Sequence, residues 1–364
     1  MIRVDAVIVG GGPAGSTCAG ALRRAGWDVL VVDRAHFPRD KVCAGWLTPE
    51  VFTELDLLPD DYAGAGLTLQ CISGFRTGVI GSPMIETTYP RVVSYGILRR
   101  EFDHFLLQRS GARVIEGTPV ETLRRTHSSW IVNENIETPI VIGAGGHFCP
   151  VARHVRGGAD TAQPIVAKEA EFPRRDLASC PATHAPSLFF CRDLEGYGWC
   201  VPKGDYINVG IGRRDRHEFS THVSDFVAFL EANGIHAGGA GVRWNGHAYF
   251  AAGIGPRRLV DRGVVLIGDA AGLAYPDSGE GIRPSIQSGQ LAAETLIAAQ
   301  GRHEIDDLQP YAEAMRAAHP HVARGPAPVR AASAMAGRVL LRSPTFTRHV
   351  VLDRWFLRRS REDA

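Results

Sequence analysis

The chain has 364 residues, 45% of them hydrophobic and 22% charged, so it is long and apolar enough to bury a large core. The formal net charge of +1 excludes binding to nucleic acid or to an anionic surface driven by overall charge. The seven cysteines form no CxxC pair and the 14 histidines form no HExxH or HxxxH arrangement, which predicts reduced thiols and no metal site.

The first predicted elements are a strand, a glycine-rich turn and a helix. The apolar run 4–9 is typical of a buried parallel strand, and the GxGxxG motif of residues 10–15 opens helical spacing that continues to Ala25. A second apolar strand ends in Asp33, at the distance where an acid binds the adenosine ribose of a dinucleotide. The residues that we expect to contact the nucleotide here are Gly10, Gly12, Pro13, Ala14, Gly15, Asp33 and Arg34.

A glycine-rich turn with no ligand is the alternative interpretation of this stretch. The motif by itself also does not separate FAD from NAD. An enzyme that uses only NAD usually keeps the fingerprint within a compact first domain, whereas here a partner motif lies far down the chain.

That partner motif lies in residues 262–297. An apolar strand over residues 264–267 ends at Gly268 and Asp269, and the carboxylate at a strand end suits contact with a polyol chain. A glycine-rich stretch then opens a long helix, whose N-terminal amides can face a flavin ring where reduction places negative charge. The residues predicted to bind the cofactor here are Gly268, Asp269, Gly279, Gly281 and Ile282.

The intervening chain predicts two interleaved domains in a mixed α/β fold. Residues 98–150 continue the cofactor domain, with a helix over 99–110 and a strand over 113–115. Alternating segments with Gly and Pro between them predict an antiparallel sheet that covers the cofactor. The predicted domains are a Rossmann-like FAD-binding domain (1–64, 96–158 and 256–300), a substrate domain (65–95 and 159–255) and a C-terminal helical region (301–364).

The two motifs together resemble the FAD-dependent oxidoreductases of the para-hydroxybenzoate hydroxylase fold. Arg99, in LRREFDHFL, is similar to the arginine of that family's R-x-x-F-D segment, which reaches FAD, although a solvated arginine at a helix start is the alternative. Val120 falls where the family packs its backbone against adenine. The stretches 41–45 (KVCAG) and 197–203 (YGWCVPK) resemble motifs of the geranylgeranyl reductase family within that fold.

This resemblance implies roles for the loop after the second strand. Cys43 and Ala44 are expected beside the flavin, where the thiol donates a proton to carbon after hydride transfer. A small hydrophobic role for Cys43, packed beneath the loop, is the other interpretation. Trp199 is assigned with Cys43 to the catalytic region, and the expected substrate pocket is apolar. Its predicted wall residues are Trp46, Tyr197, Trp199 and Pro202.

One stretch departs from the family pattern. Related flavin hydroxylases carry A-D-G at the strand end near residue 144, where this chain has Ala144, Gly145 and Gly146. The missing aspartate argues against reduction by NADPH through the hydroxylase route. The electron donor therefore stays open between NADPH and another reductant.

The C-terminal tail has two interpretations. It is either a basic amphipathic segment at a membrane surface or a pair of short helices, divided near Pro344, that pack over the substrate domain. No apolar run reaches the length of a membrane span, and no signal-peptide pattern precedes the first strand, so we expect a cytoplasmic protein with at most peripheral membrane contact. Its arginines are Arg338, Arg342, Arg348, Arg354, Arg358 and Arg359.

The sequence supports three functional hypotheses. The first is a flavin-dependent reductase that saturates C=C bonds of an isoprenoid-like or other natural-product substrate. The second is a monooxygenase or halogenase on the same fold, acting on an aromatic or natural-product substrate. The third is a lipid-escort protein without catalysis, but such proteins tend to lose flavin contacts, and the cofactor motifs of this chain are all present.

Overall fold

The computed structural model describes residues 1–157, 164–174, 185–237, 239, 242–253, 257–320 and 327–359. Twenty strands are assigned within these ranges. In chain order they are β1 (Ile2–Arg3), β2 (Ala6–Val9), β3 (Val29–Val32), β4 (Trp46–Leu47), β5 (Leu69–Ile72), β6 (Gly74–Val79), β7 (Ile85–Thr88), β8 (Ser94–Ile97), β9 (Arg113–Ile115), β10 (Leu123–Arg125), β11 (Trp130–Val132), β12 (Ile136–Thr138), β13 (Ile140–Gly143), β14 (Ile165–Pro173), β15 (Ser187–Phe190), β16 (Gly196–Lys203), β17 (Tyr206–Arg213), β18 (Asn245–Tyr249), β19 (Val260–Asp261) and β20 (Val264–Leu266).

The helices in the described ranges confirm the predicted helical segments. The last of them continues as a π-helical turn over Thr347–Phe356, and the break before Pro344 lies where the two-helix interpretation of the tail places it. In chain order the α-helices are α1 (Pro13–Arg24), α2 (Pro49–Glu54), α3 (Pro59–Gly64), α4 (Arg99–Arg109), α5 (Pro150–Arg156), α6 (Phe219–Ala232), α7 (Ile282–Ala298), α8 (Ile305–Ala318), α9 (Ala327–Leu340) and α10 (Pro344–Phe346).

The chain divides by its contacts into two compact units. The first unit is Met1–Asp40, Arg100–Gln163 and Tyr249–Ala323, and the second is Lys41–Arg99, Pro164–Ala248 and Arg324–Ala364. The largest differences from the predicted domains concern residues 41–64 and the C-terminal region, while the other boundaries move by a few residues, for example at 96–99 and 249–255. Residues 41–64 group with the second unit, because β4 pairs with β8 in a small sheet of that unit, and the C-terminal region is shared between the two units.

The first unit is built on a six-stranded sheet in the order β19-β20-β13-β2-β3-β9. From β20 to β9 all neighbouring strands are parallel, and only β19 runs antiparallel at the edge. Strands β2, β3 and β13 are buried along their whole length, which is why their sequences are apolar runs without alternation. The unit also carries a smaller sheet in the order β1-β12-β11-β10.

Helices α1 and α7 cross closely over this sheet. A Cβ at Gly289 of α7 would lie 2.5 Å from the carbonyl oxygen of Ala14 in α1, so only glycine permits the approach. Helix α8 is tied to the sheet by Tyr311, whose hydroxyl donates to the carbonyl oxygen of Leu266 over 2.7 Å. The early and late glycine motifs are therefore brought to the same edge of one sheet.

The second unit is built on a seven-stranded sheet in the order β18-β14-β17-β16-β15-β6-β7. The strands from β14 to β15 pair antiparallel, as predicted, but β6 joins β15 in parallel. These two strands come from distant parts of the sequence and no hairpin fixes their direction, so a wholly antiparallel sheet was the wrong expectation for this pair. Helix α6 covers one face, where the ring of Phe226 lies over Gly198.

Candidate functional site

The glycine-rich turn in the first unit is closed by backbone that leaves no room for side chains. Gly10 has a φ of +113°, and a Cβ there would lie 2.5 Å from the carbonyl oxygen of Ala144. A Cβ at Gly15 would run into the carbonyl oxygen of Gly10. Pro13 begins α1 with Gly12 as its extended N-cap residue. The turn therefore presents the N-terminal amides of a 12-residue helix, where a phosphate is favoured.

Asp33 holds this turn from the end of β3. Its carboxylate accepts hydrogen bonds from the amide of Gly11 over 2.7 Å and from the amide of Ala35 over 2.9 Å. The side chain is buried, yet two carboxylate oxygens can accept more than these two bonds, so capacity remains for ribose hydroxyls. The neighbouring residue Arg34 is exposed, and no described contact ties it to the turn.

The segment that leads to Val120 runs beside Asp33. The amide of Thr118 donates to the carbonyl oxygen of Asp33 over 2.9 Å, and Val120 packs against the core of the first unit. The role that the family resemblance gives to Val120, packing of its backbone against the adenine of the cofactor, stays a prediction.

An ion pair that the sequence analysis did not identify stands beside the same turn. The Nη2 atom of Arg39 lies 3.3 Å from Oδ2 of Asp103, whose side chain is fully buried. A Cβ at Gly12 would be 3.4 Å from the same guanidinium nitrogen. Asp103 is the last residue of the R-x-x-F-D segment, and Arg99, its first residue, begins α4 with a buried side chain. The aspartate of that motif thus positions an arginine next to the turn.

The late glycine motif lies against the start of α1. Gly268 has a φ of +60°, and a Cβ there would lie 2.9 Å from Cβ of Ala14. The amide of Gly268 donates to Oγ of Ser288 in α7 over 3.0 Å. Gly281 is the N-cap residue of α7, and a Cβ at Gly281 would be 3.1 Å from Oδ1 of Asp269. The carboxylate of Asp269 is therefore close to a second helix N-terminus.

The neighbouring residues of this late motif continue the same pattern. Ile282 is the first residue of α7 and is buried, and Gly279 has a φ of +71° with the hydroxyl of Tyr249 beside it. A side chain at Gly279 would meet that hydroxyl, so the turn before α7 also has no room for a Cβ at this position.

The residues of the first unit fit an FAD. Such a cofactor needs amides and positive charge for its pyrophosphate, an acceptor for its ribose and a polar group for its ribityl chain. The N-terminus of α1 together with Arg39 would supply the amides and the positive charge, Asp33 would supply the acceptor for the ribose, and Asp269 would supply the polar group for the ribityl chain. The glycines of the two turns leave the space that the cofactor needs, since a Cβ at several of these glycines would fill that space.

Cys43 lies in a turn of the second unit that is held through its backbone. Its amide donates to Oε1 of Glu169 over 2.6 Å, and its carbonyl oxygen accepts from Nζ of Lys203 over 3.2 Å. The amide of Gly45 donates to Sγ of Cys43 over 3.3 Å. Gly45 has a φ of +62°, and a Cβ there would lie 2.6 Å from Nζ of Lys203. Ala44 completes the turn and is half-buried.

Charged residues of the large sheet lie beside this turn, and two of them, Glu169 and Lys203, are buried. Lys203 has no exposed surface, and its Nζ donates to Oε2 of Glu171 over 2.6 Å. Burial raises the pKa of Glu169 to about 7, and the nearby charge of Glu171 adds to the shift, while Lys203 and the amide of Cys43 oppose it. Oε2 of Glu169 has no hydrogen-bond partner within the described part of the chain. Glu169 and Lys203 were not among the residues predicted from sequence.

The register of three strands explains how Trp199 reaches this cluster. Glu169 pairs with Gly210, and Gly210 pairs with Trp199, so the three positions form one row across the sheet. Because Gly210 has no side chain, the Trp199 ring and the Glu169 side chain can occupy the space above it. The indole N–H of Trp199 donates to Oδ1 of Asn208 over 2.7 Å, which fixes the ring.

The other predicted wall residues belong to an aromatic stack in the second unit. Trp46 lies between Phe75, 5.1 Å away, and Phe356, 5.4 Å away, measured between ring centroids. Tyr197 meets the edge of Phe356 at 5.3 Å and lies 6.0 Å from Trp199. These rings therefore connect Trp46 to Trp199.

The stack is completed by a residue from the C-terminal segment. Phe356 comes from the π-helical turn, and the carboxylate of Asp353 in the same turn accepts a hydrogen bond from the hydroxyl of Tyr89 over 2.7 Å. The carbonyl oxygen of Pro202 lies next to Gly96, where a Cβ would collide with it. Sequence analysis missed Phe356, because its contact partners lie hundreds of positions away along the chain.

Titration of Glu169 predicts a pH-dependent stability change. Its native pKa is raised above the ordinary 4.5, so the native state is favoured at low pH and loses stability as the pH rises through about 7. Glu169→Gln removes this titration. Relative to wild type, the variant should gain about 2 to 3 kcal/mol of unfolding free energy between pH 4.5 and pH 8. Urea unfolding of both proteins at several pH values measures the difference, and parallel pH curves would contradict the assignment.

A second polar contact in this region involves Lys41 of the KVCAG stretch. Its Nζ lies 2.9 Å from Nε2 of His247 on β18, at the far edge of the large sheet. This contact ties the start of the Cys43 loop to that edge. The histidine was not identified from sequence, because no motif surrounds it.

The comparisons with known proteins agree with this geometry. Residues 3–57 match the family described as FAD binding domain. A menaquinone reductase of Mycobacterium tuberculosis is 30% identical over 353 residues, covering 80% of this chain and 76% of the relative. A geranylgeranyl diphosphate reductase of Rhodobacter capsulatus is 29% identical over 323 residues, covering 82% of this chain and 76% of the relative.

A solved structure shows the same fold over nearly the whole chain. It is a geranylgeranyl bacteriochlorophyll reductase-like protein from Thermoplasma acidophilum, with a TM-score of 0.73 and 21% identity, covering 94% of this chain and 88% of that one. The fold, the FAD-binding match and the length of the sequence similarity all agree. The chain therefore belongs to the geranylgeranyl reductase family of FAD-dependent oxidoreductases.

Proposed function

We propose that the protein reduces C=C bonds of an apolar, isoprenoid-like or natural-product substrate. The relatives support this class, since the names of two of them refer to the reduction of geranylgeranyl diphosphate and of menaquinone. The observation that carries the proposal is the cluster of groups able to hold a proton, Cys43 and Glu169, beside the aromatic residue Trp199. Reducing an alkene requires a proton as well as a hydride, and reduced FAD, when bound, supplies the hydride.

In this proposal the second unit binds and protonates the substrate. Trp46, Tyr197, Trp199 and Pro202 offer an apolar wall, and the thiol of Cys43 donates the proton to the substrate carbon. Glu169 and Lys203 hold the peptide groups on either side of Cys43, so the thiol is kept in one place. A fixed donor of this kind contributes through orientation as well as through acidity.

A monooxygenase or halogenase on the same fold is the alternative, and oxygen separates the two. Purified protein reduced by dithionite under nitrogen should convert a polyprenyl alkene to its saturated product in a single turnover, detected by mass spectrometry. Chemical reduction leaves the natural electron donor, NADPH or another, out of the experiment. Product that forms only after oxygen is admitted, and that carries a new oxygen or halogen atom, would favour the alternative. If the reduced flavin is oxidised by the substrate neither under nitrogen nor after oxygen is admitted, the result would favour a lipid-escort protein.

The role of Cys43 can be tested within the same assay. Cys43→Ala should retain FAD, because its amide and carbonyl contacts are made by backbone, and should lower the single-turnover rate by about a hundredfold as the proton donor is lost. Cys71→Ala is the matched control, since that thiol is exposed in the same unit. An unchanged rate with full flavin occupancy would remove the proton-donor role.

We also propose that α9 contacts anionic lipid. None of the described helices is long and apolar enough to cross a bilayer. The second half of α9 nevertheless exposes Met335, Val339 and Leu340, with 63%, 66% and 45% of their surfaces accessible. Arg338 and Arg342 are exposed beside them, so apolar and basic groups share this short stretch. That combination fits the headgroup region of a negatively charged membrane.

Liposome flotation tests this contact. Vesicles of phosphatidylcholine with phosphatidylglycerol should carry the protein upward at low salt, and vesicles of phosphatidylcholine alone should carry much less. Val339→Asp should reduce flotation at least severalfold by placing a charge in the apolar face. Wild-type protein that stays at the bottom of the gradient with anionic vesicles would rule out the contact.

A further inference from the structure

One row of paired residues crosses five strands of the large sheet. Residues that pair across neighbouring strands share a face of the sheet, so the members of this row lie on one face, which we call the Trp199 face. The middle of the row is apolar and its two ends are polar. In order across the sheet the row contains Glu169, Gly210, Trp199, Leu188 and Thr77.

Both polar ends of this row carry a buried atom that has no hydrogen-bond partner among the described residues. At one end Oε1 of Glu169 accepts the amide of Cys43, whereas Oε2 is the unpartnered atom. At the other end it is the hydroxyl oxygen of Thr77. Only 5% of Glu169 and 1% of Thr77 are exposed to solvent. Such atoms are uncommon in folded proteins because their burial is costly, so they call for a group that satisfies them.

A third unpartnered atom lies over the same face. The indole ring of Trp46 stacks on Phe75, and Phe75 precedes Thr77 by two positions on β6, which places both on the Trp199 face. Nε1 of Trp46 is buried, and it too lacks a hydrogen-bond partner within the described part of the chain. The three atoms therefore belong to the face that carries the predicted apolar wall.

The chemistry of these atoms restricts what can satisfy them. An indole N–H only donates a hydrogen bond, an ionised carboxylate only accepts one, and a threonine hydroxyl does both. A hydroxyl group on a ligand can accept from Trp46 and donate to Glu169, whereas a carbonyl or ether oxygen can only accept. A hydroxyl is therefore the simplest ligand group that suits all three atoms.

The charges near Glu169 argue against an anionic ligand at this face. Among the described groups that act on the charge of Glu169, Lys203 is the cation and Glu171 is a second acid. The ammonium of Lys203 already binds Glu171 over 2.6 Å. A phosphate or carboxylate placed beside these groups would meet excess negative charge, which opposes binding.

Arginines approach the aromatic stack at a different place. Arg348 and Arg359 lie over the ring of Tyr89, 5.0 Å and 5.6 Å from its centroid. The carboxylate of Asp353 accepts the hydroxyl of Tyr89 and lies 3.8 Å from Arg359, so it partly neutralises their charge. An anionic ligand would be expected there and not beside Trp199, which gives the alternative its own test.

We propose that the Trp199 face binds the hydroxyl group of an uncharged, isoprenoid-like alcohol, with Trp46, Thr77 and Glu169 as its polar contacts. The inference rests on the proposed reductase function, which makes this alcohol the substrate. It narrows the substrate class from apolar alkenes in general to alkenes with a free hydroxyl, and it argues against a prenyl diphosphate as the preferred substrate.

Three farnesyl compounds with different ends test this assignment: farnesene, farnesol and farnesyl diphosphate. Equilibrium dialysis against the oxidised holoenzyme at pH 8 gives their dissociation constants without turnover. Farnesol should bind about tenfold more tightly than farnesene, because it gains hydrogen bonds, and at least about tenfold more tightly than the diphosphate. Farnesene or the diphosphate binding as tightly as farnesol would overturn the proposal.

Two variants of similar shape locate the hydroxyl. Trp46→Phe keeps an aromatic ring and removes the N–H, and Thr77→Val removes only the hydroxyl. Each should weaken farnesol binding by about threefold to tenfold and change farnesene binding much less. Ser187→Ala is the matched control, because the Ser187 hydroxyl is also buried without a partner in the described ranges but lies on the opposite face, next to Leu188. Equal losses for farnesol and farnesene would contradict the polar contacts.

Glu169→Gln tests the charge at this face. The variant keeps an acceptor for the amide of Cys43 but removes the negative charge, so farnesyl diphosphate should bind about fivefold to tenfold more tightly than to wild type, with farnesene unchanged. Arg348→Ala tests the other position. Diphosphate that binds wild type more tightly than farnesol, and loses this advantage in Arg348→Ala, would place an anionic ligand at Tyr89 and refute the inference.

Binding and turnover fail separately. Wild-type protein that prefers farnesol in dialysis but reduces no alkene in the single-turnover assay would refute the proposed function and leave the hydroxyl site standing. Wild-type protein that reduces an alkene, but binds farnesol no better than farnesene, would support the function and overturn the inference.

Discussion

Asp33→Ala is expected to weaken FAD binding by about a hundredfold or more. The substitution removes a carboxylate that accepts hydrogen bonds both from the cofactor and from the turn that holds it. In the structure the carboxylate accepts the amides of Gly11 and Ala35, so its loss leaves a buried amide of the phosphate-binding turn without a partner. The ribose acceptor is lost at the same time. Fluorescence titration of the apoprotein with FAD gives the dissociation constant directly.

Asp28→Ala is the matched control for this variant. Asp28 lies just before the same strand, 47% of its side chain is exposed, and its carboxylate pairs with Arg113. Exposed ion pairs contribute little, so FAD affinity should change by less than about threefold. Equal FAD affinity in the two variants would mean that Asp33 serves neither the turn nor the cofactor.

Lys203→Met is expected to lower the free energy of unfolding by about 3 to 5 kcal/mol, because it leaves the buried carboxyl group of Glu169 and the partner carboxylate of Glu171 without their counter-charge. Lys203 is fully buried, binds Glu171 and the carbonyl oxygen of Cys43, and faces Glu169. Without it the pKa of Glu169 should rise further. The loss of stability should therefore be largest above pH 7, where wild-type Glu169 is ionised, and smaller near pH 5, where both proteins hold Glu169 neutral.

Urea unfolding at pH 5.5 and pH 8 measures this effect. Lys168→Met is the control, since Lys168 precedes Glu169 on the same strand but is only partly buried, and its loss should change stability by less than about 1 kcal/mol. A Lys203→Met protein as stable as wild type at both pH values would show that the buried charges do not depend on one another.

Local sequence patterns were sufficient to predict the strands, glycine turns and helices that carry the candidate cofactor residues. The strand, the turn and helix α1 follow one another along the chain, and each has a composition that physical chemistry restricts: apolar for a strand buried on both faces, glycine where backbone must approach. The late motif is equally local, since β20, the glycine turn and α7 are consecutive. Their meeting at Ala14 and Gly268 followed from the resemblance rather than from spacing.

Contacts across distant parts of the chain could not be predicted in the same way. Arg39 and Asp103 come from a loop and from α4, and no periodicity connects them. Glu169 reaches Trp199 only because Gly210 lies between them in the register of three strands, and register is not visible in a single sequence. One signal was available: Glu169 and Glu171 alternate within an apolar strand, which places two acids on the same face of a sheet.

The C-terminal segment shows a further limit of the sequence. Its arginines suggested a surface role, and yet the π-helical turn brings Phe356 against Trp46 and Asp353 against Tyr89. A hydrophobic residue that packs against a distant sheet has the same appearance in sequence as one that contacts lipid. The exposed stretch of α9 and the packed turn after α10 therefore had to be separated by structure.

Spectroscopy of flavin bound to the wild-type protein tests the central claim most directly. The account predicts that the apoprotein takes up one FAD per chain, gains the absorbance band of oxidised flavin near 450 nm, and becomes more resistant to heat as the ligand binds. Wild-type protein that remains colourless and thermally unchanged with excess FAD, while it is folded by circular dichroism, would contradict the account.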